Sequence, residues 1–123
     1  STLYRIYLNE LLDKLDLVIK KYEIDKNKFF FFIEPNSYLN ETTSASIDLR
    51  QYLYNVEGIK VDGKTSSKWI KIYDEIYIET LIKKGFKVLK TKNSDLRSEY
   101  FYDVGHVTPA GSYFIGRFYS ENL

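Results

Sequence analysis

The chain contains no cysteine and no methionine, two prolines, six glycines, one tryptophan and a single histidine in 123 residues. Without cysteine there is no disulfide framework, no zinc–thiolate site and no cysteine nucleophile. The redox compartment stays open, because exported proteins can also lack cysteine. No run approaches the roughly 18 apolar residues that span a bilayer, and the densest stretch, Phe29 to Ile33, is strand-sized. No glycine-rich phosphate loop is present, which removes nucleotide binding, and no cofactor is implied. Nor is charge of one sign in excess: 18 basic and 17 acidic residues leave a net charge of +1. A nucleic-acid binder usually needs a basic face, so that class is set aside.

The length fits one domain, and 44% hydrophobic with 17% aromatic residues provides material for a core. No signal peptide is visible at the start. A methionine-free sequence beginning at Ser1 is expected to be a processed or excised piece of something longer.

Residues 3–22 read as an amphipathic helix, with Leu8, Leu11, Leu12, Leu15, Val18, Ile19 and Tyr22 at helical spacing. Asp25 to Asn27 is a polar turn. Phe29 to Ile33, apolar without alternation, predicts a central strand covered on both faces, ended at Glu34-Pro35-Asn36 because proline cannot donate to a ladder. Residues 36–46 read as a polar loop, Ile47 to Asn55 as a short helix, and Gly58 to Ser67 as a turn region around Asp62-Gly63. A second amphipathic helix is expected over 68–84, capped by Ser66 or Ser67 and stopped at Gly85. Phe86 to Thr91 reads as a strand. Tyr100 to Thr108 is a loop, and a final helix opens with Thr108 as N-cap and Pro109 in its first position. Tyr113, Phe114, Phe118 and Tyr119 are expected to face inward from it.

Strands alternating with helices predict an α/β fold with a parallel sheet and helices on its faces. Two strands make a narrow platform for helices of this size. The expectation is therefore one α/β domain over residues 1–123 that is the C-terminal part of a larger layer structure, or that pairs with another chain. Exposed sheet edges should favour association, either with a missing N-terminal segment or with itself.

His106 stands three residues after Asp103, with Gly105 between them, just before a helix start. A histidine acting as general base near neutral pH needs a partner that fixes its tautomer and stabilises its protonated form. An aspartate on the same tight loop does so by accepting from Nδ1, leaving Nε2 for a serine proton. Asp-x-x-His alone is common by chance; its place between strand, loop and Thr-Pro-Ala-Gly is what gives it weight.

That context, Tyr102-Asp103-Val104-Gly105-His106-Val107-Thr108-Pro109-Ala110-Gly111, resembles the last sequence block of the SGNH (GDSL-type) esterases and acyltransferases. There an Asp and a His stand three apart before the final helix. The resemblance implies the C-terminal part of a three-layer, flavodoxin-like parallel sheet with flanking helices, the N-terminal part being absent. It implies ester hydrolysis or O-acyl transfer, with Asp103 orienting His106 and His106 as general base and acid. Acyl esters, among them acetylated glycans, are the implied substrates, and an extracytoplasmic or cell-envelope setting follows from the family alone. At motif level the likeness covers residues 101–116; beyond them only the order of elements agrees.

The sequence departs from the family in having no Gly-Asp-Ser run and no Gly-x-Asn-Asp. Its ten serines are Ser1, Ser37, Ser44, Ser46, Ser66, Ser67, Ser94, Ser98, Ser112 and Ser120, none in a nucleophile's strand-to-turn setting. Ser37 follows a strand through Pro35-Asn36, and Asn36 could imitate an oxyanion donor; an ordinary turn is the plainer reading. Without a nucleophile no acyl-enzyme forms, and an oxyanion donor alone contributes only about 10²–10³-fold. The isolated chain is thus expected to be inactive, its serine belonging to a missing N-terminal segment. The alternative is a non-catalytic α/β module that binds glycan or a protein partner.

Twelve tyrosines would suit a sugar-stacking surface, but Tyr22, Tyr73, Tyr77 and Tyr113 fall at core-stripe positions. Asn40-Glu41-Thr42 fits a glycosylation sequon, a pattern common by chance. Glu34, Asp103 and His106 could form a metal set if the fold gathers them, although a single imidazole argues against it.

Overall fold

A computed structural model of the chain describes residues 2–41, 43–44 and 53–123, with only the backbone of Tyr54 and Val56. It is a mixed α/β protein. Among the described residues there are three α-helices, α1 (Thr2–Lys21), α2 (Gly63–Lys83) and α3 (Pro109–Asn122). The strands are β1 (Phe30–Phe32), β2 (Leu53–Val56), β3 (Ile59–Asp62) and β4 (Lys87–Leu89). β1 and β4 form a two-stranded parallel sheet, with Phe30, Phe31 and Phe32 opposite Lys87, Val88 and Leu89. β2 and β3 form an antiparallel hairpin. The chain divides into two compact units, Ser1–Ile33 with Ile72–Leu89, and Glu34–Lys71 with Lys90–Leu123.

In the first unit, Leu8, Leu12 and Ile19 of α1 are buried with Ile76 and Leu81 of α2, beside Ile33 and Phe86. These α1 positions recur at helical spacing, so one stripe of the helix meets the core. Leu11, Val18 and Tyr22, expected in that stripe, are instead 63%, 46% and 66% exposed. Both helices stop in the same way. Glu23 and Gly85 adopt left-handed φ of 53° and 77°, and the next residues, Ile24 and Phe86, donate back to the carbonyls of Ile19 and Leu81. Phe31 packs edge-on against Tyr77 and Phe86, whereas Phe32 is 42% exposed. The strand is therefore not covered on both faces as its apolar run suggested.

The second unit corrects the middle of the sequence reading. Of the helix expected over Ile47 to Asn55, residues 47–52 lie outside the described residues, and Leu53, Tyr54 and Asn55 belong to β2. Glu57 and Gly58, with φ of 51° and 83°, make the tight two-residue turn of the hairpin. Asp62-Gly63 is no loop: the Asp62 carboxylate accepts the Thr65 N–H at 2.6 Å and caps α2, which begins at Gly63 rather than at the expected 68. Leu39, Leu96 and Phe101 form this unit's core, with Tyr100, Val107 and Phe114 packed against them. α3 begins where expected, but Tyr113 is 73% exposed rather than inward. No helix among the described residues is long and apolar enough to cross a membrane.

Candidate active site

The Asp103–His106 loop is clamped at its base. Phe101 and Val107 form an isolated antiparallel bridge, the Tyr102 N–H donates to the His106 carbonyl at 2.8 Å, and the Thr108 N–H donates to the Tyr100 carbonyl at 2.9 Å. Thr108 then fixes the loop to α3. Its hydroxyl donates to the Glu99 carbonyl at 2.6 Å and accepts the Gly111 N–H at 3.1 Å, closing the helix N-terminus. Gly111 is buried so close to Tyr100 that a Cβ there would stand 2.2 Å from the Tyr100 carbonyl oxygen. That approach lets the Phe114 ring stack on the Tyr100 ring, centroids 4.8 Å apart.

Within the loop, Asp103 serves both the turn and the imidazole. Its Oδ1 accepts the N–H groups of Gly105 at 3.0 Å and His106 at 2.8 Å, and its Oδ2 lies 2.6 Å from His106 Nδ1. The His106 N–H, the His106 ring and the Gly105 N–H together hold the Asp103 carboxyl down at about 2. Asp103 is thus an anion, and Nδ1 must be the donor. The same hydrogen bond and the charge of Asp103 raise the His106 pKa, with a smaller contribution from the Glu34 carboxylate. Nε2 has no partner among the described residues, and the imidazole is 85% exposed. An imidazole oriented through Nδ1 with an open, basic Nε2 is equipped to take a proton and return it.

The other candidates fall differently. Ser37 does reach the loop: its N–H and hydroxyl donate to the Val104 carbonyl at 2.9 and 3.3 Å. Ser37 is also only 2% exposed, so its hydroxyl is engaged and shielded rather than presented. Asn36 accepts the Tyr38 N–H through its side-chain oxygen at 3.1 Å, an ordinary turn contact. Among the described residues no serine bonds to His106. Glu34 is exposed on the same unit, yet no three His, Asp or Glu side chains among the described residues are placed to hold a metal ion. The Asn40 amide donates to the Leu96 carbonyl at 2.8 Å, so the sequon nitrogen is bonded within the fold. Of the four tyrosines assigned to the core, Tyr22, Tyr73 and Tyr113 are 66%, 44% and 73% exposed, and only Tyr77 packs against it. The close approach at Gly111 has no signature in the sequence, where Pro109-Ala110-Gly111 signals only a helix start.

No family model, curated protein or solved structure matches this chain.

Proposed function

We propose that the chain is the C-terminal part of an SGNH-type serine esterase or O-acyltransferase, with β1 and β4 as two strands of a wider three-layer, flavodoxin-like parallel sheet. The observation that carries this reading is the Asp103–His106 pair, joined through Nδ1 at 2.6 Å with Nε2 open. A parallel pair of strands with a helix between them in sequence supports the layer architecture, since parallel strands need a crossover connection, usually a helix, and that unit builds layered α/β sheets.

In this proposal a serine from a segment outside the sequence attacks an ester carbonyl. His106 Nε2 takes the hydroxyl proton, and Asp103 stabilises the imidazolium. The proton then passes to the departing alcohol, leaving an acyl-serine that water or an acceptor hydroxyl resolves by the same steps in reverse. Acetylated glycans are the substrate class the resemblance favours.

The test is turnover of a small acetyl ester by the complete protein, with labelling by a serine-directed fluorophosphonate. His106→Ala should reduce turnover by about 10²–10⁴-fold and suppress labelling while the helical circular dichroism is retained. Parent-like turnover in that variant would end the catalytic reading. The competing reading is a non-catalytic module, favoured by Tyr102 and Tyr113, which are 72% and 73% exposed. It requires glycan binding that is lost with those two tyrosines and indifferent to His106.

A further inference from the structure

We propose that α1 is the seam of a two-fold dimer in which the α1 helices of two copies pack antiparallel. The core takes one stripe of α1, and a second stripe lies outside it. Leu3, Tyr7 and Leu17 are 66%, 65% and 66% exposed, flanked by Leu11 at 63% and Val18 at 46%. Five large apolar side chains exposed on one helix, interrupted at its middle by Glu10 and Lys14, are more than soluble monomers usually leave uncovered.

The charges on this face say what covers it. Residues 3, 7, 10, 14, 17 and 21 lie along one face of the helix, apolar at 3, 7 and 17 and charged at 10, 14 and 21. They read Leu3, Tyr7, Glu10, Lys14, Leu17 and Lys21. A second copy laid antiparallel about the middle of the seam sets Glu10 of each helix against Lys14 of the other. It also sets each Tyr7 against the other Leu17, with the two Leu11 side chains meeting near the two-fold axis. A parallel arrangement would oppose Glu10 to Glu10 and Lys14 to Lys14, so the central charges select the antiparallel one. The seam is thus complementary to itself, which is what a two-fold interface demands.

Two details fit the same occupant. A groove of about 450 Å³, lined by Tyr7, Leu8, Leu11, Lys14 and Tyr77, lies beside the seam and offers room for apolar side chains of the second copy. Two other charged residues of α1 are engaged within one copy, Arg5 with Glu79 and Asp13 with Lys84, and do not compete for the seam. The inference is independent of the chemistry proposed for His106.

Sedimentation equilibrium over a concentration series tests it, with circular dichroism to confirm that each variant is folded. The parent is expected to be a concentration-dependent dimer. Leu11→Glu, which brings two carboxylates together near the axis, should weaken it at least about tenfold. Glu10→Lys alone and Lys14→Glu alone should each weaken it, and Glu10→Lys combined with Lys14→Glu should restore it. A parent that stays monomeric at every concentration overturns the proposal. So does a dimer indifferent to Leu11→Glu, or a double exchange no better than its single members.

Discussion

Asp103 holds His106 twice, through the backbone N–H at 2.8 Å and through ring Nδ1 at 2.6 Å, so one carboxylate shapes the turn and orients the imidazole. The two bonds leave a mark in pH. Together with the bond from the Gly105 N–H they lower Asp103 to about 2, so its contribution to stability is present above about 4 and is lost as pH falls toward 2. His106 is raised, so its contribution is full below about 6.5 and disappears as pH rises through the raised value. The pair therefore contributes most between about pH 4 and 6.5. A proton NMR titration should find His106 above the ordinary histidine value, and Asp103→Asn should bring it back down. An unchanged titration in that variant would refute the pairing. On the proposed acyl-transfer reading, the rising limb of activity should move to lower pH in the same variant, because the base is then free of its proton earlier.

The Asp-x-x-His unit was legible in the sequence because its chemistry is local: three residues and their own backbone N–H groups close it. The N-cap of α3 was legible for the same reason, Thr108 reaching only to Gly111. The β2–β3 hairpin was not. Its turn puts a glutamate, Glu57, at φ 51° where Asn-Gly would have announced it. Asp62-Gly63 carries a turn's signature but performs a helix cap, a distinction that only the next three residues resolve. Periodicity also grouped Leu11 with Leu8 and Leu12, since a helix with two apolar stripes offers no sign of which one the core takes. Ser37 could be placed after a strand, but its burial against the Val104 carbonyl depends on a contact 67 residues away.

Gly111 should be intolerant of any side chain. A Cβ would meet the Tyr100 carbonyl at 2.2 Å, an oxygen that also accepts the Thr108 N–H. Either α3 shifts outward, losing the Tyr100–Phe114 stack, or the base of the His106 loop opens. Gly111→Ala is expected to destabilise by about 1–3 kcal/mol in urea unfolding, the usual range for overpacking. Gly116 lies on the same helix, and a Cβ there would meet nothing within 4 Å. Gly116→Ala should therefore stabilise by up to about 1 kcal/mol. Equal effects from the two substitutions would count against the close approach.

Glu23 ends α1 in the left-handed region at φ 53°, where a side chain is strained by about 1–2 kcal/mol. Gly85 performs the same task for α2 at 77° without that strain. Glu23→Gly should therefore raise stability by about 0.5–1 kcal/mol, after the extra chain entropy of glycine is subtracted. Gly85→Ala should lower it by a comparable amount. A thermal melt of the two variants checks the pair, and a loss of stability in Glu23→Gly would show that its side chain contributes more than its backbone costs.

Lys26 fastens three pieces of the first unit at once. Its ammonium donates to Asp16 of α1 at 2.7 Å and to the Lys84 carbonyl after α2 at 2.5 Å, and lies 4.2 Å from the centre of the Phe86 ring. With the Lys26 and Asp16 side chains 30% and 24% exposed, solvent screens the ion pair only in part. Lys26→Met keeps the packing on Phe86 but removes both hydrogen bonds, and should cost about 1–3 kcal/mol. The hydrogen bond from Lys26 also lowers the Asp16 pKa, so this stabilisation is present above about 4 and fades as pH falls through the lowered value. The difference in unfolding free energy between parent and Lys26→Met should consequently shrink on acidification from about pH 6 toward about pH 3. A difference that stays constant across that range would assign the effect to the Lys84 carbonyl alone and exclude Asp16 from it.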